Sequence, residues 1–196
     1  MSDSSTSLRR SIGLYGGSFN PPHVCHTLTT VWAMQTHSLD EVWWVPTYQH
    51  AFSKDLVSFE HRRRLCQLAL RHIDGAVISD IEREMGGESR TVDTVRALSE
   101  RYPSHDYSLI VGSDILEEAD RWKDWEGLME MVDLIVIGRA GHHPDDEPDS
   151  TEFRLPDISS TETRRALREG DYEALRYWLS REVIDYIAEH GLYREQ

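Results

Sequence analysis

Short apolar runs alternate along this chain with stretches whose apolar residues recur at helical spacing, and that alternation predicts βαβ units in a mainly parallel sheet. Strands are expected at 11–16, 41–46, 76–80, 107–111 and 132–138. A helix is expected after the first strand at 24–37, and another at 58–73, where Phe59, Leu65, Leu68, Ala69 and Ile73 form a stripe. The third strand leads to a helix at 91–102, carried by Val92, Val95 and Leu98. The fourth leads into 114–120 and a second short helix near 124–130. Residues 141–157 are rich in Pro, Asp and Glu and read as a solvent-exposed excursion before a short strand at 152–155. Ser160 and Thr161 are suited to cap a helix that runs to about 169, where Gly170 ends it. Helices at 172–179 and 181–190 follow, closed by Gly191.

The expected fold is therefore α/β: a Rossmann-like parallel sheet flanked by helices, with a small C-terminal helical part. Residues 1–10 read as a flexible tail, 11–158 as the core, and 159–196 as the helical part.

Composition narrows the partners. A net charge of -14 over 196 residues argues against a nucleic-acid binder, which needs a basic surface to displace counterions. A small anionic ligand remains compatible if a few cations converge. There are two cysteines, Cys25 and Cys66, no apolar leader follows Met1, and no apolar run approaches the roughly 20 residues of a membrane span. The expectation is a cytoplasmic chain with no membrane partner, with a homo-oligomer left open.

Candidate chemistry begins at the end of the first strand. Gly16-Gly17-Ser18-Phe19-Asn20-Pro21-Pro22-His23-Val24-Cys25-His26 combines glycines that let backbone N–H groups approach phosphate with two imidazoles three residues apart on one face of the next helix. Taken alone, the histidines also fit solvent-facing helix residues. Zinc is not expected, because no second Cys/His cluster supplies the remaining ligands, and Cys66 reads as a buried helix residue. Ile158-Ser159-Ser160-Thr161-Glu162-Thr163-Arg164 gathers hydroxyls and backbone donors at a helix start, with Arg164 one turn on; it fits an anion site as well as an ordinary cap. Gly112-Ser113-Asp114 ends a strand with a carboxylate suited to ribose hydroxyls, or to capping.

The first of these segments resembles the GGTFDPPHxGH signature of nucleotidyltransferases related to class I aminoacyl-tRNA synthetases, and Ile158 to Arg164 resembles their ISSTxxR signature, about 130 residues later. Ser89 to Thr94, Gly112 to Asp114, Trp122 to Trp125 and the ending Tyr186 to Tyr193 are similar to bacterial nicotinate mononucleotide adenylyltransferases. The resemblance implies transfer of AMP from ATP to nicotinate mononucleotide, giving deamido-NAD and pyrophosphate with Mg2+. It implies catalytic roles for His23, His26 and Arg164. ATP would be held by Gly16, Gly17, Ser18, Phe19, His23, His26, Gly112, Asp114, Ser160, Thr161 and Arg164. The acceptor would meet Lys54, Arg90, Thr91 and Trp122, the last by stacking on the pyridine ring, and no metal-ligating residue is assigned. Cys25 stands where the signature has glycine, so a side chain larger than glycine is expected to alter how ATP sits. The alternatives are an adenylyltransferase for nicotinamide mononucleotide or phosphopantetheine, or a nucleotide-binding sensor without turnover.

Overall fold

The computed structural model describes residues 9–49, 56–88, 90–113, 122–139 and 154–194, without the side chains of Arg139 and Arg154. Six parallel strands form one sheet in the order β3-β2-β1-β4-β5-β6. They are β1 (Ser11–Gly17), β2 (Glu41–Pro46), β3 (Ala76–Ile78), β4 (Asp106–Gly112), β5 (Asp133–Arg139) and β6 (Arg154–Leu155). Among the described residues there are eight helices: α1 (Val24–Thr36), α2 (Phe59–Ala69), α3 (Ile81–Met85), α4 (Thr91–Arg101), α5 (Trp125–Met129), α6 (Ser160–Glu169), α7 (Tyr172–Trp178) and α8 (Arg181–Glu189). None of them is long and apolar enough to cross a membrane.

The strands bury both faces. On one side Ile12, Leu14, Trp43, Leu109 and Val111 pack with Val92, Val95 and Leu98 of α4 and Leu128 of α5. On the other, Val42, Trp44, Ile110, Ile135 and Ile137 pack with Cys25 and Ala33 of α1 and Cys66 of α2. Gly13 in β1 has no room for a side chain, since a Cβ there would lie 2.7 Å from Leu39 Cδ1. A third cluster joins Leu65 of α2 to Ala166, Leu175, Val183 and Ile187, which docks the C-terminal helices on the sheet's helical layer.

The elements differ from the sequence reading in four places. The second helix stops at Ala69, not 73, because the chain must turn through Gly75 (φ +81°) to enter β3. β3 ends at Ile78, and the five-residue α3, too short to show a period, follows it with Ile81 buried. Ser159, not Ser160 or Thr161, caps α6: its hydroxyl accepts the Glu162 N–H at 3.2 Å while its own N–H donates to the Glu162 carboxylate at 3.0 Å. Arg9 and Arg10, read as tail, form ion pairs with Asp106 and Glu41. The expected helix at 114–120 lies outside the described residues, as do most of the 141–157 excursion and the first two positions of the expected strand at 152–155.

The strand order reverses between β1 and β4, and at such a switch point the diverging connections leave a crevice beyond the carboxyl ends of the strands. Gly17, Pro46 and Gly112 all end strands at that edge.

Candidate active site

β1 delivers the first motif to this edge. The chain leaves Gly17 and turns at Phe19, which has a positive φ of 46°. A left-handed backbone at an aromatic residue is costly, and burial holds it: the Phe19 ring is 1% exposed and stacks on Trp44 with centroids 4.5 Å apart. The Phe19 ring is thus part of the core, leaving backbone as what this residue can offer a ligand. A Cβ at Gly16 would meet nothing within 4 Å, so the cradle is open there.

His23 caps α1 from an extended backbone, and His26 lies one turn on. The His23 N–H donates to His26 Nδ1 at 3.0 Å, and the two ring centroids are 3.9 Å apart. Because Nδ1 accepts, a neutral His26 carries its proton on Nε2, which makes that atom a donor. Cys25 turns the other way. It is 5% exposed, and its thiol donates to the Pro156 carbonyl at 3.4 Å, which ties α1 to the segment leading into α6.

The second motif closes directly on the first. Ser160 Oγ donates to the Pro21 carbonyl at 3.0 Å, and Arg164 donates to the Asn20 carbonyl at 2.8 Å and to Thr161 Oγ1 at 3.2 Å. Glycines, imidazoles, an arginine and the start of a ten-residue helix therefore converge at one edge of the sheet, an arrangement suited to phosphate groups. Gly112 ends β4 beside this crevice, and Ser113 N–H donates to the Ile137 carbonyl at 2.9 Å.

Two of the acceptor candidates, Arg90 and Thr91, lie at the start of α4. Arg90 is its N-cap and pairs with Glu88 at 2.8 Å; Thr91 is its first residue. Trp122 packs on the cluster that includes Val92 and Val95, with its ring edge-on to Trp125 at 5.7 Å. Lys123 pairs with Asp93 at 2.8 Å and Arg96 pairs with Asp124, pinning the Trp122 turn to α4. Lys54 and Asp114 lie outside the described residues.

Two side chains escape the motif reading. Arg62 is 1% exposed, yet its guanidinium donates to the carbonyls of Ser18 at 2.8 Å, Thr47 at 2.7 Å and Val57 at 3.1 Å. Burial lowers its pKa from the usual arginine value. It clamps the cradle to the exits of β2 and of the following loop. The available signal was position, since Arg62 interrupts an apolar stripe between Phe59 and Cys66. Glu82 of α3 accepts the Tyr48 N–H at 3.0 Å and the Thr94 hydroxyl at 3.2 Å, joining the segment after β2 to α4.

Comparison with known proteins gives the family and the fold. Residues 14–166 match the cytidylyltransferase-like family. The chain is 42% identical over 188 residues to the probable nicotinate-nucleotide adenylyltransferase of Anaeromyxobacter sp. (strain K), covering 94% of this chain and 97% of the relative. It is 39% identical over 183 residues to that of Myxococcus xanthus (strain DK1622), covering 93% and 94%. In fold it is similar to Plasmodium falciparum nicotinic acid mononucleotide adenylyltransferase complexed with NaAD, with a TM-score of 0.80 at 23% identity over 94% of this chain and 98% of that one. With its two motifs joined at the β1–β4 switch point, the chain belongs to the cytidylyltransferase-like family.

Proposed function

We infer that the chain is a nicotinate-nucleotide adenylyltransferase of NAD biosynthesis, moving AMP from ATP to nicotinate mononucleotide. The observation that carries this reading is the direct bonding of Ser160 to the Pro21 carbonyl and of Arg164 to the Asn20 carbonyl, which brings two distant motifs together at one edge of the sheet. The names of the relatives at 39–42% identity supply the substrate pair.

In the proposed reaction a phosphate oxygen of nicotinate mononucleotide attacks the α-phosphorus of ATP, and the bond to the bridging oxygen breaks to release pyrophosphate. The nucleophile is already anionic at neutral pH, so no base is required. The protein positions the reactants and offsets negative charge. His26 donates from Nε2 toward the reacting phosphates, with His23 holding its orientation. Arg164 and the start of α6 receive the triphosphate together with Gly16, Gly17, Ser18 and Phe19 backbone, Ser160 and Thr161. Gly112 and Asp114 take the adenosine, and the C-terminal helical part, residues 159–196, completes the ATP site through Ser160, Thr161 and Arg164. Thr91, Arg90, Trp122 and Lys54 receive the acceptor.

Magnesium enters this proposal on the triphosphate, because it favours oxygen ligands and keeps several waters. Among the described residues no group of three His, Cys, Asp or Glu side chains is placed to hold an ion. We place the enzyme in the cytoplasm.

The test is pyrophosphate release from Mg-ATP, with nicotinate mononucleotide, nicotinamide mononucleotide and phosphopantetheine compared side by side. Release is expected to be fastest with the first. Absence of release with all three would sink the reading.

A further inference from the structure

The end of the chain reaches back to the beginning of the site. Tyr193 OH donates to Asn20 Oδ1 at 3.0 Å, across 173 residues. Asn20 is 1% exposed, and the same Oδ1 accepts the Val57 N–H at 3.2 Å, while its carbonyl receives Arg164. A carboxamide oxygen has two lone pairs, so these two donors fill it. Val57 is held from both sides, because its carbonyl takes Arg62 Nε. One buried polar node thus joins the cradle, the chain just after residues 50–55, α6 and the C-terminal end.

We propose that Tyr193 is a positioning residue for adenylyl transfer, orienting Asn20 and, through it, the cradle and the Val57 segment. The chain bends sharply to place it: Gly191 and Tyr193 both have positive φ, 61° and 64°, and at tyrosine that backbone costs energy which the partly buried phenol's contacts must offset. A phenol is protonated across the neutral range and so stays a donor, and desolvation raises its pKa further above the ordinary value. Removing the hydroxyl leaves Oδ1 with one donor and the side chain of Asn20 free to turn, while the ring still fills its place beside Leu192 and Ile187.

This inference rests on the proposed activity, so its test uses two independent readouts on the full chain. Tyr193→Phe is expected to lower kcat/KM for nicotinate mononucleotide by about fivefold, the scale of one hydrogen bond, with a melting temperature within about 3 °C of the parent. Amide hydrogen exchange is expected to quicken at Val57 in that variant. Tyr186→Phe is the control, since it removes a hydroxyl 3.0 Å from His61 Nδ1 on the same helical part without touching the cradle, and it is expected to change neither readout. Unchanged exchange at Val57 in Tyr193→Phe overturns the proposal, as does a kinetic loss shared equally by Tyr186→Phe. If the parent chain releases no pyrophosphate, the activity reading fails, and exchange at Val57 still decides the role of Tyr193.

Discussion

His26 owes its donor to a neighbour's backbone: with Nδ1 occupied by the His23 N–H, the proton sits on Nε2. Losing such a donor from a phosphoryl-transfer site typically costs about a hundredfold in turnover. His26→Ala is therefore expected to lower kcat by about that factor, with a melting temperature within a few degrees of the parent. Arg164→Ala is expected to match it in kcat and to lose somewhat more stability, since its contacts to Asn20 and Thr161 go too. Equal losses of activity and stability in both would mark the pair as structural. Cys25 shows where residue-scale inference from a motif stopped. Its position in the signature was plain, but the direction of its thiol, toward Pro156, depended on how α1 packs. Cys25→Gly removes a buried side chain from a helix and is expected to cost about 1–2 kcal/mol in urea titration.

At the scale of elements, the starts of helices present the chemistry. His23 caps α1, Thr91 opens α4 and Ser160 opens α6, and each of these starts carries the partial positive charge of a helix N-terminus. α5 has a supporting version of this device: Asp124 sits at φ 52° and its carboxylate accepts the Gly127 N–H at 3.3 Å. A Cβ on Gly127 would lie 2.7 Å from that carboxylate. Gly127→Ala is therefore expected to break the cap, costing about 1 kcal/mol, and to loosen the turn bearing Trp122. The check is kinetic: KM for nicotinate mononucleotide rises while KM for ATP stays. Equal change in both would detach Trp122 from the acceptor. The strands and long helices were legible because their apolar periods span several residues. α3 was not, because five residues hold barely one turn, and the cap of α6 shifted to Ser159 because adjacent serines are equivalent until the helix axis is set.

At the scale of the whole molecule, the net charge of -14 coexists with a site built around Arg62, Arg164 and a helix start, so local placement outweighs the average. Stability has an alkaline limit. Burial raises the Cys66 thiol and the Tyr193 phenol above their ordinary ranges and pushes Tyr107 up to about 12. In the unfolded chain these groups ionise near pH ~8.5 and ~10, so above those values the unfolded state sheds protons that the folded state retains. Their contribution is fully present below the unfolded pKa values and falls as pH rises. The urea midpoint is expected to decline between about pH 9 and pH 11, and Cys66→Ala to flatten the first part of that decline; a flat profile would refute this. By itself the sequence determined the parallel α/β fold and the two motifs, because strand-length runs, helical stripes and a Gly-Gly/Pro-Pro/His-His order are local properties. Only the tertiary structure decided that Ser160 and Arg164 grip the first motif, that Arg62 clamps three carbonyls and that Tyr193 ends on Asn20. Apart from the Val57 carbonyl, 5 positions from Arg62, those bonds join residues from 15 to 173 positions apart, and a hydrogen bond between distant positions exists only once packing has brought donor and acceptor within about 3 Å.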